Sequence, residues 1–327
     1  MSSNLKKIFG FAIGFFFLWL AFRKIDLSKI PSLIAQIYPK ALLLCIVSLT
    51  FEHLTRAFRW KVILHSREIR FFHLYVGVVV GYLFNNLFPA RAGEFVRAFY
   101  LNRRSNTRAS EAFGSIVLER FLDGVVVISI ILLAFLLFPL GQEFQIACFL
   151  AVLFYAVVLA FIIVLQFKVS WFDAILKVIV YPLSEKWREK VFSLKLSFTE
   201  GFSLVKQPSL FLTALLLSYF SWGISIFTVW LSFGIFDLNL GPSAAILLLA
   251  ILSLGAMLPA SPGMIGFFEW ACIFALSDFL SVSREVAGAY GLFFHFVIFI
   301  YVLIIGYGLM IFDNLSMGEL RNPQVAS

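Results

Sequence analysis

The sequence predicts an all-α polytopic membrane protein, and three observations carry that prediction. Charge-free runs of about eighteen or more residues recur along the chain, and as helix each is long enough for about 30 Å of hydrocarbon. Of the 327 residues only 13% are charged and 61% are hydrophobic, too little polar surface for a soluble globular domain. The apolar runs are continuous rather than alternating, which argues against a β-barrel. The net charge of +8 fits cytoplasmic loops facing anionic lipid, not nucleic acid.

In chain order, Lys6 and Lys7 precede an apolar run, Ile8–Phe22, that ends at Arg23–Lys24. No small-x-small cleavage site follows, so this reads as an uncleaved first span. Pro31 and Pro39 break the loop that leads to Lys40. Span two begins near Ala41. Its charge-free part, Ala41–Phe51, covers about 16 Å against about 30 Å of hydrocarbon, so Glu52, His53, Arg56 and Arg59 must enter the membrane or its boundary.

Phe71–Ala90 is charge-free apart from His73 and has basic flanks on both sides. Lys61, Arg67 and Arg70 precede it, and Arg91, Arg97, Arg103, Arg104 and Arg108 follow. Short basic loops lie on the cytoplasmic side, so this segment enters and returns, turning where Asn85, Asn86 and Pro89 interrupt it. Span three runs from about Ala112 to Phe138. Its charge-free part, Gly124–Phe138, is about 22 Å long, which draws Glu119, Arg120 and Asp123 into the membrane. Pro139–Glu143 is an external turn, and Phe144–Phe167 is span four.

Lys168–Gln207 is the long polar, basic segment. Trp187, Val191, Leu194, Phe198, Phe202 and Val205 recur at helical spacing, so an amphipathic helix is expected on the bilayer surface or under the bundle, as a connector between two halves. Span five is Leu210–Phe236, Asp237–Pro242 is an external turn, and Ser243–Leu258 with Met264–Ser277 forms a second re-entrant pair. The last span is Val286–Phe312. The sum is about six full transmembrane helices plus two re-entrant broken helices in an inverted repeat, about 41–138 and 210–312, with a connector at about 168–207. Both termini are then cytoplasmic. This arrangement leaves Arg23, Lys24 and Lys29 outside, and eight full spans is the alternative.

Two broken stretches, Leu87–Arg97 and Leu258–Glu269, occupy matching places in the halves, a pattern that points to a midplane site. In the first, Pro89 removes a backbone donor and Gly93 permits close approach, beside Arg91, Glu94 and Arg97. In the second, Pro259, Pro262, Gly263 and Gly266 surround Ser261, and Glu269 is the one charge between Asp237 and Asp278. Free N–H groups at the start of the following helix would suit an anion. A lone carboxylate at that depth points to function. The inverted halves are expected to bring Glu94 and Glu269 to one central cavity.

Glu52 and Arg56 are four apart, with Arg59 on the neighbouring face. Glu119 and Asp123 are also four apart, with Arg120 beside them. Two readings stay open: a polar cavity whose arginines neutralise a lipid phosphate, or structural ion pairs joining spans two and three. Cys45, Cys148 and Cys272 are scattered through apolar runs and suggest neither a disulfide framework nor a metal site. The four histidines are too dispersed for a metal, and His295 reads as a core histidine with a helix partner. Neither a cofactor nor a hydrolase or zinc motif is indicated.

These residues together resemble the flippase-like family named for the lysylphosphatidylglycerol synthase transmembrane region. The resemblance rests on Arg56, Phe58, Arg59 and Trp60; on Asn85–Asn86 with Pro89–Ala90–Arg91–Ala92–Gly93–Glu94 and Arg97; on Glu119, Arg120 and Asp123; and on Pro259, Ser261–Pro262–Gly263, Gly266 and Glu269. Met264 stands where some members carry a second glycine. The resemblance covers nearly the whole chain as a single flippase-like transmembrane domain. It implies an inner-membrane protein that moves a polar-headed or phosphate-linked lipid between leaflets. Its implied partners are that lipid, anionic lipids at the cytoplasmic face, and a second copy or a separate lipid-modifying enzyme. Bifunctional members carry a soluble transferase domain after the membrane region. The sequence runs on from Phe312 only to Ser327, so the expectation is a non-enzymatic translocase. The alternative is a membrane component of a lipid glycosyl- or aminoacyl-transferase system, with Glu94 and Glu269 as acid and base.

Overall fold

The computed structural model describes residues 3–65, 68–88, 91–139, 184–255 and 261–315, and within 141–182 the residues 141–142, 145–146, 149–150, 152–154, 156–158, 160, 176–178 and 180–182. The described chain is helical throughout: α1 (Ser3–Phe22), α2 (Ile30–Ile34), α3 (Pro39–Leu64), α4 (Phe71–Leu87), α5 (Ala92–Arg104), α6 (Ala109–Leu137), α7 (Glu185–Gly201), α8 (Pro208–Phe233), α9 (Pro242–Gly255), α10 (Phe267–Ile273) and α11 (Arg284–Phe312). Span four, Pro89, Pro259, Cys148, the first part of the connector and the tail after Leu315 fall largely or wholly outside the described residues.

Among the described residues four helices are long and apolar enough to cross a membrane: α3, α6, α8 with its 3-10 extension to Phe236, and α11. They correspond to four of the six full spans expected, and the protein is an all-α polytopic membrane protein. α3 qualifies by length and composition although it carries Glu52, Arg56 and Arg59, and those side chains meet partners inside the bundle. α4 and α9 are shorter, 17 and 14 residues, or about 25 and 21 Å. Neither covers about 30 Å of hydrocarbon.

The first of these short helices turns straight back. Gly81 of α4 faces Gly93 of α5, and Gly77 lies beside the Tyr100 ring. The paired positions rise in one helix as they fall in the other, so α4 and α5 form an antiparallel hairpin. A β-carbon on Gly93 would sit 1.8 Å from the Gly81 carbonyl oxygen, so only glycine permits this approach. The second short helix behaves alike: the Phe267 ring at the start of α10 lies against Gly255 at the end of α9. α10 then continues as a π-helical turn, Phe274–Phe279.

Packing between the halves is reciprocal. α4 packs on α11, and α9 packs on α6, while α3 and α8 pair with each other. Ser48 bonds Thr228 (2.7 Å) and Arg59 bonds Ser218 (2.9 Å), so α3 and α8 are antiparallel. Small polar residues at helical spacing, Ser218, Ser221, Ser225, Thr228 and Ser232, are all buried and let the pair approach closely. This exchange of neighbours is what an inverted repeat would produce. α1 belongs with the second half: Gly14 lies against Ser261, and Phe17 stacks edge-on to Phe267.

The connector helix α7 packs on α6. Gly201 lies against the backbone of Glu111–Ser115. Phe202 and Leu204 are buried with Ile63, Leu118, Phe121, Leu122 and Ala214, so this connector is docked rather than loose.

Candidate functional site

Two polar networks form in the apolar bundle. The first is built by four helices. From α3, Arg56 donates to Glu52 Oε1 through Nε and Nη2 (2.9 and 2.7 Å), and Arg59 forms an ion pair with Asp123 of α6. From α5, Arg97 grips both Glu119 oxygens (2.9 and 2.8 Å) and lies 3.7 Å over the Trp60 ring. Arg59 also reaches Glu119 at 3.2 Å, and Arg120 pairs with Glu119 and with Asp123 (3.2 Å). α8 contributes Trp222, whose Nε1–H donates to Asp123 (3.0 Å), and Ser218, which accepts from Arg59.

Burial decides what this network costs and what it is for. Arg59 is fully buried, and Glu119 is 1% exposed. Charges so placed survive only when paired and hydrogen-bonded. The ion-pair reading of these residues therefore holds, and it extends beyond spans two and three to α5 and α8. A surplus of donors remains. Four guanidiniums (Arg56, Arg59, Arg97, Arg120) meet three carboxylates at close range (Glu52, Glu119, Asp123) and a fourth, Glu94, at 3.9 Å from Arg120, and among the described residues Nε of Arg59, Arg97 and Arg120 has no hydrogen-bond partner. Glu94 stands at the edge, 3.9 Å from both Arg91 and Arg120. Arg91 caps α5 in the left-handed conformation (φ 52°), with its side chain half exposed.

The second network is smaller. Glu269 of α10 accepts from the Gly266 N–H (2.7 Å) and meets His295 Nδ1 of α11 (2.7 Å). His295 Nε2 meets the Gly263 carbonyl oxygen (2.8 Å), and Phe268 stacks on the imidazole. Ser261 donates to the Ile265 carbonyl (2.6 Å). This corrects one expectation. The Gly266 N–H is not free for an external anion, because Glu269 three residues on already caps it. Glu94 and Glu269 bond to different partners; each belongs to its own network.

What does meet is the two breaks. Asn85 Oδ1 accepts from the Gly93 N–H (2.9 Å), holding the first hairpin, and the Asn86 carbonyl lies against Gly263 of the second break. Asn85 thus holds the first hairpin, and Asn86 sits at the seam between halves. Trp60, Ser115, Ser218, Trp222 and His295 join the networks without being marked as site residues by the sequence. The serine stripe of span five is the visible signal for Ser218 and Trp222. For His295 there is none, since its partners lie on other segments. Among the described residues no three His, Cys, Asp or Glu side chains are grouped to hold a metal ion.

On the bilayer-facing side of α3 and α8 runs an apolar groove of about 850 Å³, lined by Leu44, Val47, Phe51, Phe220, Gly223 and Phe227 among others. Its α3 wall ends at Phe51, next to Glu52. Its α8 wall includes Gly223, next to Trp222, whose ring lies 5.6 Å from the Arg56 guanidinium.

The family model for the lysylphosphatidylglycerol synthase TM region matches residues 7–306. The chain belongs to this family. Among similar proteins is a UPF0104 membrane protein of Methanocaldococcus jannaschii, 25% identical over 73% of this chain and 97% of that protein. Another, from Pyrococcus horikoshii, is 26% identical over 88% of this chain and 89% of its own length. A third, from Methanothermobacter thermautotrophicus, is 26% identical over 71% and 73%. The family membership and the apolar helices make this a multi-pass membrane protein.

Proposed function

We propose that the chain is a translocase for an anionic, phosphate-linked lipid, without chemistry of its own on that lipid. The observation that carries this reading is that the apolar groove and the guanidinium cluster share helix α3, where Phe51 lines the groove and Glu52, Arg56 and Arg59 belong to the cluster. A hydrocarbon tail suits the groove, whose walls are apolar side chains open to the bilayer. A phosphate suits the cluster, which gathers four guanidiniums and holds three Nε–H donors without a hydrogen-bond partner. The family's lipid-related name supports the substrate class. In this reading the protein sits in the cytoplasmic membrane with both termini inside, and anionic lipids gather at its basic loops. The inverted halves, about 41–138 and 210–312, rock about the α3–α8 pair.

The experiment is leaflet exchange of a labelled phosphate-headgroup lipid in vesicles holding the purified chain. Gly223→Phe tests the tail site, because a side chain there meets open space and fills the groove without a clash. Exchange should fall while the protein remains folded. Arg56→Gln should also slow exchange by weakening the headgroup end. Exchange at the wild-type rate in both variants sinks the proposal. Chemical conversion of the lipid would favour the transferase-component reading instead.

A further inference from the structure

The second network contains one more acceptor than its formal groups can serve, and that excess identifies a ligand. The Gly263 carbonyl oxygen only accepts, so the 2.8 Å contact places a hydrogen on His295 Nε2. The Gly266 N–H already donates to Glu269 Oε2. The remaining contact, Glu269 Oε1 to His295 Nδ1 at 2.7 Å, joins two lone pairs unless a further proton lies between them. We infer that Glu269 and His295 form a proton-binding site whose single shared proton latches the second break closed.

The surroundings favour a bound proton over a bare pair of groups. Glu269 is 3% and His295 8% exposed. With the proton the pair is neutral; without it an uncompensated carboxylate would lie at bilayer depth. Among the described residues Glu269 has no ion partner other than His295. The titratable groups facing the pair are uncharged: Cys272 on α10, and beyond it Tyr290 on α11, which is bonded to Ser232 (2.6 Å). α1 presents Gly14 and Phe17, α9 presents Gly255, α4 presents the Asn86 carbonyl, and residues 256–260 carry no titratable side chain.

Removing the proton must break one end of the chain. If Nε2–H stays on Gly263, Nδ1 turns a lone pair to the carboxylate. If the hydrogen moves to Nδ1, the Gly263 carbonyl loses its donor. Either way the break, held by Gly266 at φ 90° against the Gly14 carbonyl, loses a clamp. The site thus offers a coupling ion for movement of one half against the other. The inference stands without a lipid substrate and is tested without one.

Glu269→Gln is the decisive variant. Its carboxamide oxygen can still accept from Gly266, and its NH₂ donates to Nδ1 of a neutral His295, so both bonds persist with no proton. Amide hydrogen exchange across residues 261–266, in the full chain in nanodiscs, reads the latch. It is measured from about pH 4 to about pH 9, the range of ordinary carboxyl and imidazole titration, and corrected for intrinsic rates. In the wild type, exchange should rise about tenfold or more as the proton leaves, the change one charge-assisted hydrogen bond produces. In Glu269→Gln it should stay slow and flat. Flat protection in the wild type, or the same pH dependence in Glu269→Gln, overturns the proposal.

Discussion

Arg97 tests whether the first network is truly buried. Its guanidinium makes two bonds to Glu119, at 2.9 and 2.8 Å, and covers the Trp60 ring at 3.7 Å. Arg97→Met removes one partner of a buried pair, a change that costs about 3–5 kcal/mol. Glu119 keeps Arg59 at 3.2 Å and Arg120, so the loss should fall near the lower end, about 3 kcal/mol. Arg97→Lys keeps the charge but loses the fork and the flat stacking face, and should cost about 2 kcal/mol. Combining Arg97→Met with Glu119→Gln should cost about 2 kcal/mol less than the sum of the single changes, since the two groups act as one unit. Reversible unfolding in mixed micelles gives each value. A loss below about 1 kcal/mol for Arg97→Met, the level of an exposed ion pair, would mean that water reaches the cluster and that the burial argument fails.

Gly93→Ala should open the first hairpin, because its new carbon would sit 1.8 Å from the Gly81 oxygen and 2.8 Å from Asn85 Oδ1. A loss of about 3 kcal/mol is expected, whereas Gly81→Ala, whose new carbon would make a tight 3.3 Å contact with the Gly93 carbonyl oxygen, should cost clearly less; equal stabilities in the same unfolding assay would refute this. Single cysteines at Asn106, after α5, and at Asn239, after α8, should react with impermeant reagents from opposite sides, Asn106 from the cytoplasm. A cysteine at Ser66, before α4, should react from the same side as Asn106, and labelling of those two from opposite sides would remove the re-entrant topology. Gly223→Phe for lipid exchange and Glu269→Gln for the proton latch complete the set.

The membrane class, the helical segments and the two breaks are legible in the sequence because each is a local property. A helix of about twenty apolar residues needs no tertiary partner to declare itself. The shortfall of charge-free length in spans two and three likewise draws Arg56, Arg59, Glu119 and Asp123 toward the bilayer, while leaving open whether they pair with one another or with a lipid phosphate. Reciprocal placement of the two broken segments is readable too, as the packing of α4 on α11 and α9 on α6 bears out.

Partner choice was decided only in three dimensions. Spacing along a helix says that Arg59 and Arg56 share a side; it does not say that α5 delivers Arg97, or α8 delivers Trp222, to the same place. The symmetry argument joined Glu94 to Glu269, yet side chains bond over about 3 Å while a repeat axis relates elements tens of ångströms long. Glu94 therefore took its neighbours Arg91 and Arg120, and Glu269 took Gly266 and a histidine from the last span. Sequence set the charges and the breaks; the contacts across helices set which charge met which, because electrostatic pairing at bilayer depth is won by the nearest donor.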